Sequence, residues 1–235
     1  MAGTLFLGTS GFAFPEWKGS FYPEGLKSDE MLPYYAGRFP SVEINYTFRR
    51  IPTEEVFRTW AHRTPEWFRF ALKANQRITH FRRLRDADGD VSDFLDPART
   101  LGDRLGPILF QCPPTLQYDR ELIESFLGRL PSALRYAFEF RHPSWAEARP
   151  ILRDRGAAWC IAETDATEAD SLPPIEAPFG FLRLRKEEYT EDELRRWADR
   201  LGSAMAEGLD VYAYLKHEKG VAAPRHAERI RELLS

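Results

Sequence analysis

The chain has 235 residues, of which 43% are hydrophobic, 14% aromatic and 29% charged. This composition is typical of a globular protein with a sizeable apolar core, and it excludes a disordered, collagen-like or coiled-coil chain. The formal net charge of −3, from 33 basic and 36 acidic residues, provides no overall field that would recruit nucleic acid or anionic lipid. No stretch approaches the roughly 18 consecutive apolar residues of a membrane span, and no basic region opens the N-terminus, so we expect a soluble, cytoplasmic protein.

Short apolar runs rich in β-branched and aromatic residues recur along the chain and predict eight β-strands. In chain order they span residues 5–8, 41–45, 68–74, 107–112, 136–141, 157–165, 180–185 and 210–216. Segments with helical spacing separate most of these runs. Two pairs, Ser144 with Glu147 and Thr190 with Glu193, have the spacing of capping boxes and predict the starts of two helices.

Eight strands that alternate with helices predict an α/β fold, a closed parallel (β/α)8 barrel of the TIM type. An open, doubly wound sheet is the competing fold, but no GxGxxG motif follows any predicted strand. No low-complexity linker, composition break or internal repeat divides the chain. We therefore expect a single domain over residues 1–235.

Polar and charged residues follow the predicted strands from the second to the eighth. In a (β/α)8 barrel the chemistry lies on the loops after the carboxyl ends of the strands, so these side chains are expected to converge on one mouth. Charges inside such apolar strands are costly unless they are paired, which favours a polar pocket. The predicted catalytic residues are Glu43, Lys73, Glu139 and Asp165. The predicted substrate-binding residues are Asn45, His80, Gln111, Arg141, His142, Arg183 and Lys216.

Lys73 and Glu139 are the leading catalytic candidates. An amine and a carboxylate that end central strands can tune one another as acid and base. A purely structural interpretation stays open at this point. Glu43 could form an ion pair with Lys73 on the adjacent strand, and Glu139 could pair with Arg141, without any part in a reaction.

A divalent metal site is the weaker hypothesis for the same mouth. His142, Glu139 and Asp165 offer the nitrogen and oxygen donors that such ions bind. None of these three residues belongs to an HxH, HExxH or DxD motif, so the preferred interpretation requires no metal and no other cofactor. Ser10 is not predicted as a nucleophile, because its TSGF context differs from the GxSxG motif.

The two cysteines fit neither a disulfide framework nor a zinc-binding spacing. Cys112 and Cys160 both lie within strongly apolar runs, and we expect two reduced thiols in a reducing compartment. Cys112 ends a predicted strand, so its thiol could also be reactive.

Several ordered motifs resemble those of DUF72, a family of unknown function also called YecE-like proteins. They are GTSGFAFPEWKGSFYP, SVEINYTFRRIP, FALKANQRITH, LFQCPP, FEFRHPSW and AETD, and the resemblance runs over residues 5–234. The resemblance implies a TIM-barrel-like fold, but it does not imply a particular biochemical activity. Similar proteins usually have Arg-x-His-Gly after strand seven and an Asn pair after strand eight. This chain has RLRK at 183–186 and KH at 216–217, which predicts a more cationic wall.

The preferred function is an enzyme that performs acid/base chemistry on a small anionic or polyhydroxylated substrate. A metal-dependent phosphodiesterase acting on nucleic acid is an alternative by fold analogy, with metal-activated water and arginines on the phosphates. A non-catalytic protein that binds a small molecule in the same pocket is a further alternative. A carboxylate together with a lysine exceeds what simple anion capture requires, which favours the enzyme. A small-molecule partner is expected, nucleic acid is not favoured, and the oligomeric state stays open.

Overall fold

A computed structural model describes residues 1–167, 171–216 and 220–235. Eight strands pair in parallel in chain order, and the eighth pairs with the first, so the sheet closes into a barrel. The strands are β1 Leu5–Ser10, β2 Ser41–Ile44, β3 Arg69–Lys73, β4 Leu105–Cys112, β5 Tyr136–Phe140, β6 Ala157–Glu163, β7 Gly180–Leu184 and β8 Val211–Lys216. The predicted (β/α)8 fold is thereby confirmed.

Seven α-helices lie in the described part of the chain. They are α1 Met31–Ala36, α2 Glu54–His62, α3 Asp88–Ala98, α4 Arg120–Arg129, α5 Arg149–Asp154, α6 Glu191–Ala206 and α7 Ala222–Leu233. None of these helices has the length and apolar character needed to cross a lipid bilayer. No α-helix joins β6 to β7 within residues 164–167 and 171–179, so this connection departs from the regular alternation.

One of the two predicted capping boxes is present. The Thr190 hydroxyl accepts from the backbone N–H of Glu193, and the Glu193 carboxylate accepts from the backbone N–H of Thr190 at 2.8 Å. The capping box predicted at Ser144 is wrong. His142 caps that short 3-10 helix instead, since the Ser144 hydroxyl is held by His142 Nδ1 and by the backbone N–H of Tyr118.

Two separate apolar clusters flank the strands, because successive side chains point to opposite faces of the sheet. The larger cluster lies between the barrel and the helices. The smaller cluster fills the barrel and consists of Ala71, Leu109, Ala137, Ala158, Cys160, Phe179, Phe181, Tyr212 and Tyr214. The Tyr214 hydroxyl lies 2.7 Å from the Ser41 hydroxyl. The barrel is thus a packed core.

Both cysteines are buried and unpaired. Cys160 lies inside the barrel, and Cys112 lies in the cluster between the barrel and the helices. Burial raises the pKa of both thiols well above the usual range. The reactivity considered for Cys112 from its place at a strand end is therefore not supported, because a thiolate forms poorly there.

Candidate active site

The charged layer of the barrel lies at the carboxyl ends of the strands, directly above the apolar filling. Its members stand two positions beyond an inward-facing residue of the same strand, so the alternation of the strand places them inside the barrel. They are Ser10 of β1, Glu43 of β2, Lys73 of β3, Gln111 of β4, Glu139 of β5, Arg183 of β7 and Lys216 of β8. This is the mouth at which most of the predicted site residues were expected.

Arg183 is the centre of this layer and joins two carboxylates from opposite parts of the barrel. Its Nε and Nη2 donate to the two oxygens of Glu43, each at 2.8 Å, and its Nη1 donates to Glu139 at 2.5 Å. Asn45 Nδ2 and the Ser10 hydroxyl also donate to Glu43 Oε1. All three charged residues are at most 3% exposed. The expected pair of Glu43 with Lys73 is thus replaced by a bidentate pair with Arg183.

The protonation state of Glu139 follows from these contacts. Burial alone would raise the pKa of Glu139, but the Arg183, Arg141 and Arg185 guanidinium groups together lower it to about 2. Burial opposes the charge of Arg183 as well, yet Glu43 and Glu139 raise its pKa above the ordinary value. Glu139 is therefore an ionised, weakly basic carboxylate at neutral pH.

Lys73 differs from Arg183 because its charge forms no ion pair with a described carboxylate. Its ammonium lies 4.0 Å from the centre of the Phe48 ring, a distance at which a cation–π interaction forms. Within residues 1–167, 171–216 and 220–235, no carboxylate lies within ion-pair distance of this ammonium. Burial, followed by the charge of Arg183, lowers the pKa of Lys73 from 10.5 to about 8, although Glu43 and Glu139 oppose the shift. About a tenth of Lys73 is therefore a free amine at pH 7.

His80 and Lys73 both contact the Phe48 ring. The imidazole of His80 is nearly perpendicular to the Phe48 ring, with the ring centres 5.0 Å apart, and His80 Nδ1 lies 2.9 Å from the Thr79 hydroxyl. Burial, then the charges of Lys73 and Arg141, lower the pKa of His80 below 6.5. The imidazole is therefore neutral at pH 7 and can accept a proton.

Three further cations surround the mouth. Arg141 Nε donates to Glu139 Oε1 at 3.1 Å, and Arg185 Nη1 lies 3.6 Å from the same oxygen. Burial, followed by the charge of Arg183, lowers the pKa of Arg185. Burial, followed by the charge of Arg185, lowers the pKa of Lys216. The lowered pKa values show that positive charge is crowded here. A bound anion would relieve this repulsion.

Two buried polar atoms at the mouth have no hydrogen-bond partner within the described part of the chain. They are Oε1 of Gln111, an acceptor on β4, and Nε of Arg185, a donor just beyond β7. A buried polar atom without a partner costs free energy, so a ligand that supplies the missing donor or acceptor is favoured. Gln111 and Arg185 can therefore contact a polar ligand without giving up a protein contact.

Asp165 and His142 do not join this cluster. Asp165 is exposed and accepts from the backbone N–H of Glu187 at 3.2 Å. The His142 ring is held by Ser144, and it caps the 3-10 helix after β5. Both residues orient loops next to the mouth in this structure.

The candidate metal ligands His142, Glu139 and Asp165 are not brought together. No group of three or more His, Cys, Asp or Glu side chains suited to a metal occurs among residues 1–167, 171–216 and 220–235. The Glu139 carboxylate is engaged by guanidinium groups, which compete with a cation for its oxygens. The donor set thus does not fit a metal ion. His217, named with Lys216 as part of the cationic wall, lies outside the described residues.

A separate cavity of about 320 Å³ lies beside α6, with Glu163 and Trp197 among its lining residues. Glu163 is buried, but it accepts from the Tyr189 hydroxyl at 2.8 Å and from Trp197 Nε1 at 2.9 Å. Lys186 lies 3.4 Å from its other oxygen. Since the carboxylate is already satisfied, the barrel mouth is the stronger candidate for the functional site.

Sequence reasoning missed three contributors to the mouth. Ser10 was considered only as a nucleophile, although its position at the end of β1 gave a signal for a polar ligand of Glu43. Arg185 ends the same predicted strand as Arg183 and lies on the same face two positions further on, but it was not among the predicted site residues. Phe48 gave no signal, because an aromatic residue in a loop is common.

Fold and site together define a (β/α)8-barrel protein with a buried Glu–Arg–Glu cluster under a cationic mouth. The family described as "Protein of unknown function DUF72" matches residues 6–235. The chain belongs to the DUF72 family. The resemblance noted in the sequence motifs is thereby confirmed.

Two curated relatives belong to the same group. The UPF0759 protein YecE of Escherichia coli K12 is 34% identical over 143 residues, which span 60% of this chain and 50% of that protein. The alignment therefore covers half the length of the E. coli relative. The UPF0759 protein YunF of Bacillus subtilis 168 is 23% identical over 98% of this chain and 94% of its own.

Crystal structures of family members have the same fold. A DUF72 protein of Thermotoga maritima MSB8 is similar with a TM-score of 0.82 and 25% identity, over 98% of this chain and 99% of that chain. A DUF72 protein of Enterococcus faecalis V583 has a TM-score of 0.76 and 17% identity, over 98% and 95% of the two chains. These likenesses establish the barrel and assign no reaction.

Proposed function

We propose that the barrel mouth is the active site of an enzyme that transfers protons on a small anionic substrate with hydroxyl or carbonyl groups. The observation that carries this proposal is the Lys73 amine, which forms no ion pair with a described carboxylate and lies among the charges of Arg183, Arg141, Glu43 and Glu139. An amine of lowered pKa can gain and lose a proton at neutral pH, which a guanidinium or a strongly paired carboxylate cannot.

Lys73 takes the role of the proton carrier, with neutral His80 as its neighbour. Glu139, with a pKa of about 2, is too weakly basic to take a proton from carbon or oxygen at pH 7. Its role is to hold Arg183 and Arg141 in place and to balance their charge. The acid and base work expected of a Lys73–Glu139 pair thus rests mainly on Lys73.

Arg141 and Arg185 bind the anionic group of the substrate. Both lie at the rim of the mouth with their side chains partly open to solvent, and guanidinium groups bind carboxylates and phosphates in bidentate geometry. Gln111 offers a buried acceptor for a substrate hydroxyl, and Asn45 presents an amide beside Glu43. The crowding of positive charge supports an anionic ligand more than a neutral sugar.

Hydrogen exchange in D2O tests the proposal without knowledge of the net reaction. The protein is incubated with a panel of phosphorylated and carboxylated hydroxy and keto compounds, and deuterium uptake at carbon is followed by NMR. We expect uptake in at least one compound that also raises the melting temperature. Lys73→Met is expected to lower the exchange rate by a factor of about 100 or more.

The control is Lys27→Met, because Lys27 is an exposed lysine that is not part of the layer of side chains defined above. This variant should exchange hydrogen at the wild-type rate. Binding of a panel compound without any exchange would contradict the enzymatic role and favour the non-catalytic binding protein. Exchange that survives Lys73→Met would contradict the assignment of Lys73.

A further inference from the structure

We propose that the substrate is an anionic aldehyde or ketone and that Lys73 binds its carbonyl carbon covalently as an imine. This inference rests on the proposed function, because it uses the same mouth and the same anion-binding arginines. It goes further in naming the substrate class and in making Lys73 a nucleophile.

The surroundings of the Lys73 nitrogen suit both the amine and the imine. No described carboxylate is bonded to this nitrogen, so no ion pair has to break before it attacks a carbonyl carbon. The protonated imine keeps one positive charge at the same place as the ammonium. The Phe48 ring, 4.0 Å away, and the nearby carboxylates of Glu43 and Glu139 therefore stabilise the product as they stabilise the ammonium.

Lysine reacts only as the free amine. With a pKa of about 8 in place of 10.5, the fraction of Lys73 in the reactive form at pH 7 is about 300 times that of an ordinary lysine. Lys186 shows the contrast within the same barrel. Its ammonium is 2.6 Å from Glu193, and this hydrogen bond raises its pKa, so it stays protonated.

The step balances without any oxidant or reductant. The lone pair of Lys73 Nζ forms a bond to the carbonyl carbon, and the electron pair of the C=O double bond moves to oxygen. The oxygen takes a proton, the nitrogen loses one, and a carbinolamine results. Its hydroxyl takes a second proton, from bulk solvent, and leaves as water while the nitrogen lone pair forms the C=N double bond, so the protonated imine remains. Neutral His80 contacts the same Phe48 ring as Lys73 and can carry the first proton from nitrogen to oxygen.

The rim arginines place such a substrate. Arg141 and Arg185 approach the same oxygen of Glu139 from the open side of the mouth. The Arg185 Nε donor has no partner among the described residues, so it can donate to a phosphate or carboxylate. An anionic group held there lies in the same mouth as the Lys73 amine, and binding it raises the local concentration of the carbonyl group.

Reductive trapping tests the proposal, with pyridoxal 5′-phosphate as an anionic aldehyde probe and pyridoxal as its phosphate-free match. The protein is incubated with low concentrations of each probe at pH 7.5 and reduced with borohydride, which converts an imine into a stable secondary amine. Mass spectrometry of the peptides then measures the modification of each of the six lysines. We expect Lys73 to be modified about ten times faster than Lys27 by the phosphorylated probe. Pyridoxal should label Lys73 about ten times more slowly than the phosphorylated probe.

Two variants sharpen the outcome. Lys73→Arg keeps the positive charge but forms no imine, so labelling at this position should vanish while its melting temperature shows that the barrel is folded. Arg185→Gln should slow labelling by the phosphorylated probe more than by pyridoxal. Lys27→Arg is the control and should leave Lys73 labelling unchanged.

The result can overturn the imine without overturning the proposed function. Uniform labelling of all lysines, or faster labelling of Lys216 than of Lys73, would refute the assignment of the nucleophile. Equal labelling by the two probes would refute the anionic substrate class. Absence of labelling at Lys73, with hydrogen exchange still lost in Lys73→Met, would leave Lys73 as a proton carrier and refute the covalent step. Absence of labelling at Lys73, together with hydrogen exchange that persists in Lys73→Met, would contradict both the covalent step and the proposed role of Lys73 as a proton carrier.

Discussion

Replacement of Arg183 by methionine probes the buried cluster most directly. The substitution keeps an unbranched side chain but removes the cation that lies between Glu43 and Glu139, which are 0% and 3% exposed. Removal of one partner from a buried ion pair typically destabilises a protein by about 3–5 kcal/mol, because the other charge is left without compensation. The lowering of the Glu139 pKa from 4.5 to about 2 on folding corresponds to a stabilisation of the folded protein by about 3 kcal/mol, which agrees with this range. We therefore expect Arg183→Met to lower the free energy of unfolding at pH 8 by about 3–5 kcal/mol.

The loss should depend on pH with a definite sign. In the wild type the pKa of Glu139 is lowered by folding, so its contribution to stability is present above pH 4.5 and is lost as the pH falls toward 2. Without Arg183 the pKa of Glu139 rises, because burial then meets less opposition. The variant can bind a proton there at a higher pH than the wild type, so the difference between the two proteins shrinks from pH 8 to pH 4.

Urea unfolding followed by tryptophan fluorescence at pH 8 and pH 4 measures both effects. Arg63→Met is the matched control, since Arg63 pairs with Glu30 at 2.6 Å on the surface, with side chains 32% and 52% exposed. The control should cost less than about 1 kcal/mol. A loss below about 1 kcal/mol for Arg183→Met at pH 8, or an equal loss at both pH values, would refute the role given to Arg183.

Three further outcomes are expected. Thr190→Ala should lower the free energy of unfolding by about 1 kcal/mol through loss of the α6 cap, whereas Thr53→Ala should have little effect, since the Thr53 side chain makes no capping hydrogen bond at α2; equal losses would contradict this. Arg141→Gln should raise the pKa of Lys73, because the Arg141 charge lowers it; an unchanged or lower value in an NMR titration would show that the two charges are not coupled. Cys112 should resist a thiol reagent in the folded protein and react after unfolding, because it is fully buried; rapid native-state labelling would contradict its burial.

The eight strands could be predicted from the sequence because each is an apolar run bounded by polar turns. The helical connections were less regular than expected, since residues 164–167 and 171–179 between β6 and β7 contain no α-helix. The prediction of a cap at Ser144 was wrong because a residue distant in sequence binds its hydroxyl. The backbone N–H of Tyr118, 26 residues earlier in the chain, donates to the Ser144 hydroxyl that the local pattern assigned to a helix start.

The site was only partly predictable, since contacts across a barrel leave no local pattern. Glu43 and Arg183 are 140 positions apart in the chain, and the sequence offered Lys73, on the neighbouring strand, as the nearer partner of Glu43. The sequence also did not determine which side chains of β6 point into the barrel, because the residues of this strand are apolar on both faces. The structure places Glu163 against Trp197 of α6, and Asp165 falls on an exposed loop.

The titration of Lys73 tests the central claim most directly, that a lysine amine of lowered pKa lies in a cationic barrel mouth. Lysine amines are labelled with 13C methyl groups, and the Lys73 signal is identified by its absence in Lys73→Arg. We expect an apparent pKa near 8, which inorganic phosphate raises, because a bound anion favours the charged form. An apparent pKa near the ordinary value of 10.5, or a value that phosphate does not change, would contradict the proposed site.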